Sequence, residues 1–264
     1  MTGAGTPPHY PLWSVVAVST HFDDVVLSLG GFLLGVGAPK AIATVHGQAP
    51  APGDKVSEWD AECGFTTAAE AFATRREEDR RACELLGADQ VLLPNPDNPY
   101  RPDGPLAGLD ELFAGLDPNT RVLLPIGVNQ PDHAAVRDAA LDALDRLDRR
   151  PPWFYADLPY AAALVPDWRD ATEEELSVAL DRNDHAYREL RSRLGVEPRP
   201  GRRIDDRTWQ RKRQAIFSYS SQLSLVGAMG EVQHMGPMLR FPGAMQREFI
   251  VAAPSARGAD GVID

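Results

Sequence analysis

Thr20-His21-Phe22-Asp23-Asp24 places one imidazole and two carboxylates within four consecutive positions, 21 to 24. The segment directly follows Ser14–Ser19, SVVAVS, an apolar, β-branched run of the kind that forms a buried strand. Two adjacent carboxylates at a half-buried strand end repel each other, and one takes up a proton unless a cation compensates. A divalent metal is such a cation. His21 and Asp24 stand three positions apart across a turn, so both side chains can converge on one point. Asp23, between them, points elsewhere and is placed to take a proton from a water that the metal activates. The competing reading is a helix cap, in which Asp23 and Asp24 favour the start of the apolar run VVLSLGGFL. Capping gives no reason for His21.

A second group lies at a second strand end. Arg121–Gly127, RVLLPIG, leads into Val128-Asn129-Gln130-Pro131-Asp132-His133, with His133 near the start of a helix. Parallel strands put their carboxyl ends on one sheet edge, so His133 is expected beside His21 and Asp24. Two imidazoles and a carboxylate, with one position left for water, form a catalytic zinc arrangement. Fe2+ or Co2+ would suit the same ligands. Asp132 is expected to orient a ring nitrogen from behind the ligands, to cap the helix, or both. Cys63 and Cys83 fit no metal or redox spacing and are expected as reduced thiols, which leaves metal binding to His, Asp and Glu.

The elements that must position these groups are strands alternating with helices. After VVLSLGGFLLG, read as a helix, comes KAIATVHG (Lys40–Gly47), a second buried strand. Gln48 to Thr67 reads as a long loop, in which Trp59 and Phe65 are candidates to wall a pocket or to pack beneath the loop. Ala68 to Leu86 is helical, with Gly87 at the C-cap. VLLPNPDN is a short strand, Asp132 to Arg149 a helix, and WFYADLPY a strand. Glu173 to Leu194 reads as one long polar helix, Trp209 to about Leu225 as another, and REFIVAA as a last strand. Alternation through the first 160 residues implies an α/β fold: a Rossmann-like three-layer α/β/α sandwich with a mostly parallel sheet, in a single domain over residues 1–264. Such sheets bind ligands just past the carboxyl ends of their strands.

These motifs resemble the LmbE-like family, also called the PIG-L deacetylases. That family includes N-acetylglucosaminyl-phosphatidylinositol deacetylase and the deacetylases of mycothiol, bacillithiol, glycopeptide and aminoglycoside pathways. Its first motif is Pro/Thr-His-x-Asp-Asp before an apolar helix with a Gly pair, here Thr20 to Asp24 followed by Gly30-Gly31. The family's Arg-x-x-Glu helix ending in Leu-Gly is similar to Arg75, Arg76, Glu77 and Glu78 before Leu86-Gly87. Its Pro-Asp turn is matched by Pro96-Asp97, and its late Lys-x-x-Ala-x-x-x-Tyr-x-Ser-Gln segment, in outline, by Lys212 to Gln222. The resemblance covers roughly residues 14 to 225. It implies His21, Asp24 and His133 as zinc ligands, Asp23 as general base, and Arg75 and Asp97 as sugar-holding residues. The bland alternative for Arg75 is a surface charge paired with a Glu of its own helix.

One departure matters. Where the family has His-x-Asp-His, this chain has Gln130 in place of the first His. By resemblance that position steadies an oxyanion or protonates the leaving amine. Gln130 can donate a hydrogen bond but cannot act as an acid. The proton must then come from Asp23 or another group, and His234, in a Gly- and Met-containing loop, is one candidate; an exposed loop imidazole is the alternative.

The expected activity is zinc-dependent removal of an acyl group, with acetyl in first place, from an amino sugar on a soluble glycoside or secondary metabolite. Rival readings are an amidase of thiol conjugates or other non-sugar amides, and a binding protein impaired by Gln130. A nucleotide-binding Rossmann protein is disfavoured because the first turn lacks G-x-G-x-x-G. A formal net charge of −11 argues against nucleic acid. No run of about 18 apolar residues is present, so no membrane partner and a cytoplasmic location are expected, with homo-oligomerisation left open.

Overall fold

The computed structural model describes residues 10–164, 172–198, 202–226 and 246–253. In chain order the strands are β1 (Val15–Ser19), β2 (Lys40–Thr44), β3 (Asp89–Leu92), β4 (Arg121–Pro125), β5 (Trp153–Tyr155), β6 (Glu197–Pro198), β7 (Arg202–Arg203), β8 (Arg247–Glu248) and β9 (Ile250–Ala252). The helices are α1 (Asp24–Gly35), α2 (Glu58–Glu62), α3 (Ala68–Leu86), α4 (Leu109–Ala114), α5 (Pro131–Arg146), α6 (Glu173–Asn183), α7 (His185–Leu194), α8 (Asp206–Ile216) and α9 (Ser220–Val226), with a 3-10 turn at Tyr160–Leu164.

Seven strands form one sheet in the order β3-β2-β1-β4-β5-β9-β6, while β7 and β8 pair separately. β3, β2, β1, β4 and β5 run parallel, and β9 is antiparallel to both β5 and β6. β1, β2 and β4 are buried along their whole length, as their unbroken apolar runs require when both faces of a sheet are covered. The chain progresses outward from β1 to β2 and β3, then returns to start again on the other side of β1 with β4 and β5. Right-handed crossovers therefore put α1 and α3 on one face and α5 on the other. In agreement, α1, α3 and α8 pack on one another, and α4 packs on α5. The reversal falls between β1 and β4, the place where an open α/β sheet leaves a crevice for ligands.

The helix boundaries follow local chemistry. Thr67 caps α3 by accepting from the Glu70 amide, and Gly87 ends it at φ 66°, in the left-handed region. Gly31 lies in α1 where a Cβ would come within 2.4 Å of Ile204 Cγ2, so only glycine permits that approach. Glu248 then closes onto α1: its Oε1 accepts from the Gly31 amide and from Lys212 Nζ, both at 2.7 Å, and its Oε2 from the Phe32 amide at 2.5 Å. Burial lowers the pKa of Lys212, against the pull of Glu248.

Four expectations need correction. Glu173 to Leu194 is two helices, broken at Asp184, whose Oδ1 accepts from the Tyr187 amide to cap α7. The other carboxylate oxygen accepts from the Asn129 amide at 3.0 Å, so the break anchors the β4–α5 loop. The expected helix from Trp209 is likewise two, α8 and α9. The segment REFIVAA forms two short strands, and the Gln48–Thr67 loop contains α2, whose N-cap Ser57 accepts from the Asp60 amide.

Candidate active site

His21, Asp23 and Asp24 follow β1, and Gln130, Asp132 and His133 follow β4. Because β1 and β4 are neighbours, the two groups meet across the crevice. Asp24 Oδ2 lies 3.4 Å from His21 Nδ1 and 3.4 Å from His133 Nε2. The three ligand atoms lie within 4.8 Å of one another. With metal–ligand bonds of about 2.0–2.1 Å, tetrahedral neighbours stand about 3.3 Å apart, so these donors fit one small cation. His133 Nε2 is buried without a hydrogen-bond partner among the described residues, although its Nδ1 donates to Asp157 Oδ1 at 2.7 Å. Such a ring has its proton fixed on one nitrogen and its lone pair presented by the other.

The surrounding charges favour a positive centre. Burial disfavours the charged ring of His21, but Asp97 and Asp24 outweigh it and raise its pKa well above the usual value. Burial likewise opposes ionisation of Asp24, yet His133 and His21 hold its carboxyl below the ordinary range. Asp23 behaves oppositely: burial, reinforced by the Asp24 charge, pushes it up to about 6. Asp23 occupies the N-cap of α1 but makes no side-chain capping bond, which disposes of the simple capping role and leaves its carboxylate to the cavity.

That cavity measures about 790 Å³ and is lined by Asp23, Arg75, Asp97, Gln130 and Tyr160 among others. Gln130 is the N-cap of α5, again without a side-chain capping bond, and it lines the cavity together with Tyr160, whose pKa burial raises and Gln130 tempers. The Tyr160 ring meets His133 edge-on, with centroids 5.5 Å apart. Asp97 Oδ1 lies 3.2 Å from His21 Nε2. Arg75 Nη2 pairs with Asp60 Oδ1 at 2.5 Å, so its partner comes from α2 and not from a Glu of its own helix. Tyr100 donates to Asp60 Oδ2 at 2.8 Å and accepts from the Ser57 amide at 2.7 Å, which fixes this wall.

Asp132 lines the cavity in the first turn of α5, but it does not orient His133. Asp157, at the end of β5, does so instead, while its Oδ2 accepts from the Gly127 and Val128 amides at 2.8 and 3.2 Å. A helix directs successive side chains to different sides, so Asp132 and His133 cannot face the same point from behind. Cys63 and Cys83 are both free. His234 lies outside the described residues.

Residues 16–144 match the family model PIG-L: GlcNAc-PI de-N-acetylase. This stretch belongs to the PIG-L family. The PIG-L match runs from β1 through most of α5 and so contains both strand-end groups, His21 to Asp24 and Gln130 to His133. No curated protein sequence matches the chain. Among solved structures, the A40926 pseudoaglycone deacetylase Dbv21 is 24% identical, with 92% of this chain and 97% of that one covered at a TM-score of 0.64. A zinc-inhibited form of the teicoplanin deacetylase Orf2 is 22% identical, with 90% and 97% covered at a TM-score of 0.65. GalB, the 4-carboxy-2-hydroxymuconate hydratase from Pseudomonas putida, is 20% identical, with 86% of each chain covered at a TM-score of 0.53. These likenesses establish the fold. They also show that this architecture is shared by proteins named for different reactions, so the site must decide the activity.

Asp157 and Tyr160 lie beyond the PIG-L match, and sequence reasoning missed both, together with His46, Asp60 and Tyr100. The signal for two of them was present: His46 follows β2 and Asp157 follows β5, the same strand-end position that singled out His21 and His133.

Proposed function

We propose that this chain is a metal-dependent amide hydrolase that removes an acyl group, acetyl in the simplest case, from the nitrogen of an amino sugar in a soluble glycoside or secondary metabolite. The convergence of His21, Asp24 and His133 at the switch point, with the buried Nε2 of His133 unpartnered, carries this reading. The family description and the two neighbours named as deacetylases of A40926 pseudoaglycone and of teicoplanin support an N-acyl amino sugar over other amides. The cavity is large enough for a sugar with its aglycone attachment. Among the described residues no helix is long and apolar enough to cross a membrane.

The three residues would hold the cation, with Zn2+ suited to two nitrogens and one oxygen. Bound there, it would supply positive charge that polarises the amide carbonyl and acidifies water. The chain's own residues do the rest. Asp23, whose carboxylate is not engaged in capping, takes the proton from the attacking water. Gln130 and Tyr160, which line the same cavity as Asp23, donate hydrogen bonds to the developing oxyanion. Asp23 returns its proton to the departing amine, which removes the need for an acid at position 130. Arg75, held by Asp60, and Asp97 orient the sugar.

The test is acetate release from a panel of N-acetylated amino-sugar glycosides, run beside thiol conjugates. Asp23→Asn should lower turnover at least about 100-fold while the zinc content stays at the wild-type level. Near-normal turnover by that variant would end the assignment of Asp23, and hydrolysis confined to the thiol conjugates would end that of the sugar.

A further inference from the structure

His21 has two ring nitrogens, and each faces a carboxylate and a second imidazole of its own. On the Nδ1 side stand Asp24 Oδ2 at 3.4 Å and His133. Asp97 Oδ1 lies 3.2 Å from Nε2, and the ring of His46 is stacked on that of His21 with centroids 5.3 Å apart. One ligand atom each from His21, His46 and Asp97 lies within 4.8 Å of the others, as is also true of the set that His21 forms with Asp24 and His133.

His46 is prepared as a ligand in the way His133 is. It is buried, and its Nδ1 lies 3.0 Å from the carbonyl oxygen of Pro96. A carbonyl only accepts, so Nδ1 carries the proton and Nε2 keeps the lone pair. Nothing in the proposed hydrolysis employs His46.

We propose that His46, Asp97 and the Nε2 face of His21 form a second, outer site for a divalent cation of the Zn2+ or Co2+ type. The outer site competes with the inner one for His21. A neutral imidazole has one lone pair. With a cation on Nδ1, the Nε2 proton points to Asp97; for an outer cation to use Nε2 as well, that proton must leave to solvent. The outer cation is therefore the weaker bound. It also occupies Asp97, which the proposed function assigns to the sugar, so its binding opposes substrate. The outer site itself does not depend on which amide is cut.

Equilibrium dialysis of the whole chain against Zn2+, read by elemental analysis, tests this. Wild type should bind two ions. His46→Ala should bind one, with affinity for the second reduced at least tenfold, and Asp97→Asn should show the same loss. His133→Ala should keep the outer ion, and the His46→Ala/His133→Ala double variant should keep none. One ion in wild type and in His46→Ala alike would overturn the outer site and leave Asp97 as a residue that merely orients His21. If His46→Ala lost an ion while His133→Ala bound as much as wild type, the outer site would stand and the inner assignment would fall.

Discussion

Asp79 is buried on α3 and is expected to carry its proton well into the neutral range. Its Oδ2 accepts from Gln90 Nε2 at 2.7 Å and faces the Cys83 thiol at 3.8 Å, and its Oδ1 lies 2.7 Å from the Tyr219 hydroxyl. That hydroxyl has one proton and lies 2.9 Å from the Phe22 carbonyl, which can only accept. Tyr219 therefore donates to Phe22 and must receive a proton from Asp79. Burial, with the charge of Asp23 adding, pushes Asp79 from 3.8 to about 7. At pH 5 the unfolded chain has released this proton and the native state still holds it, so stability falls as pH rises from about 4 to about 7. Between pH 5 and pH 8 the loss is about 2–3 kcal/mol. Asp79→Asn keeps a donor toward Tyr219 and an acceptor toward Gln90 but cannot ionise. Urea unfolding of both proteins at pH 5 and pH 8 should show wild type losing about 2–3 kcal/mol more than the variant, or roughly 5–10 °C in Tm for a chain of this size. Parallel behaviour within about 0.5 kcal/mol would mean that Asp79 is ionised in the native state at pH 5, and the proton chain to Phe22 would be wrong.

Asp157→Ala removes the acceptor of His133 Nδ1–H and of two amides; zinc affinity, measured by competition with a chelator, should fall about 10–100-fold, and an unchanged affinity would contradict its orienting role. Tyr160→Phe deletes a single donor beside Gln130 and should lower kcat roughly 100-fold with little change in KM. A rise in KM alone would place that hydroxyl on the ground state instead.

The strand ends that carry the chemistry were legible because burial on both sheet faces leaves β1, β2 and β4 as unbroken apolar runs. Ala68–Leu86 matches its expected bounds because Thr67 and Gly87 terminate it by local chemistry that any reader of the chain can see. The break at Asp184 was hidden: helical periodicity continues through it, and its cause is a tertiary bond to the Asn129 amide. The site divides in the same way. His21, Asp24 and His133 are brought together by strand adjacency, which alternation predicts, whereas the replacement of Asp132 by Asp157 depends on which helix face looks inward and on the placement of β5 beside β4. Asp60 is found only through its partner Arg75, on a helix inside what reads as loop.

Glu248 reaches back across 217 positions to the amide of Gly31 on the helix that begins at Asp24. During synthesis the ribosome delivers that helix long before its carboxylate clasp. A nascent chain that has not reached residue 248 therefore lacks the carboxylate that Lys212 Nζ and the amides of Gly31 and Phe32 meet in the finished fold. The helix that begins at Asp24 consequently gains its lock only once residue 248 has left the ribosome, long after the helix itself has been made.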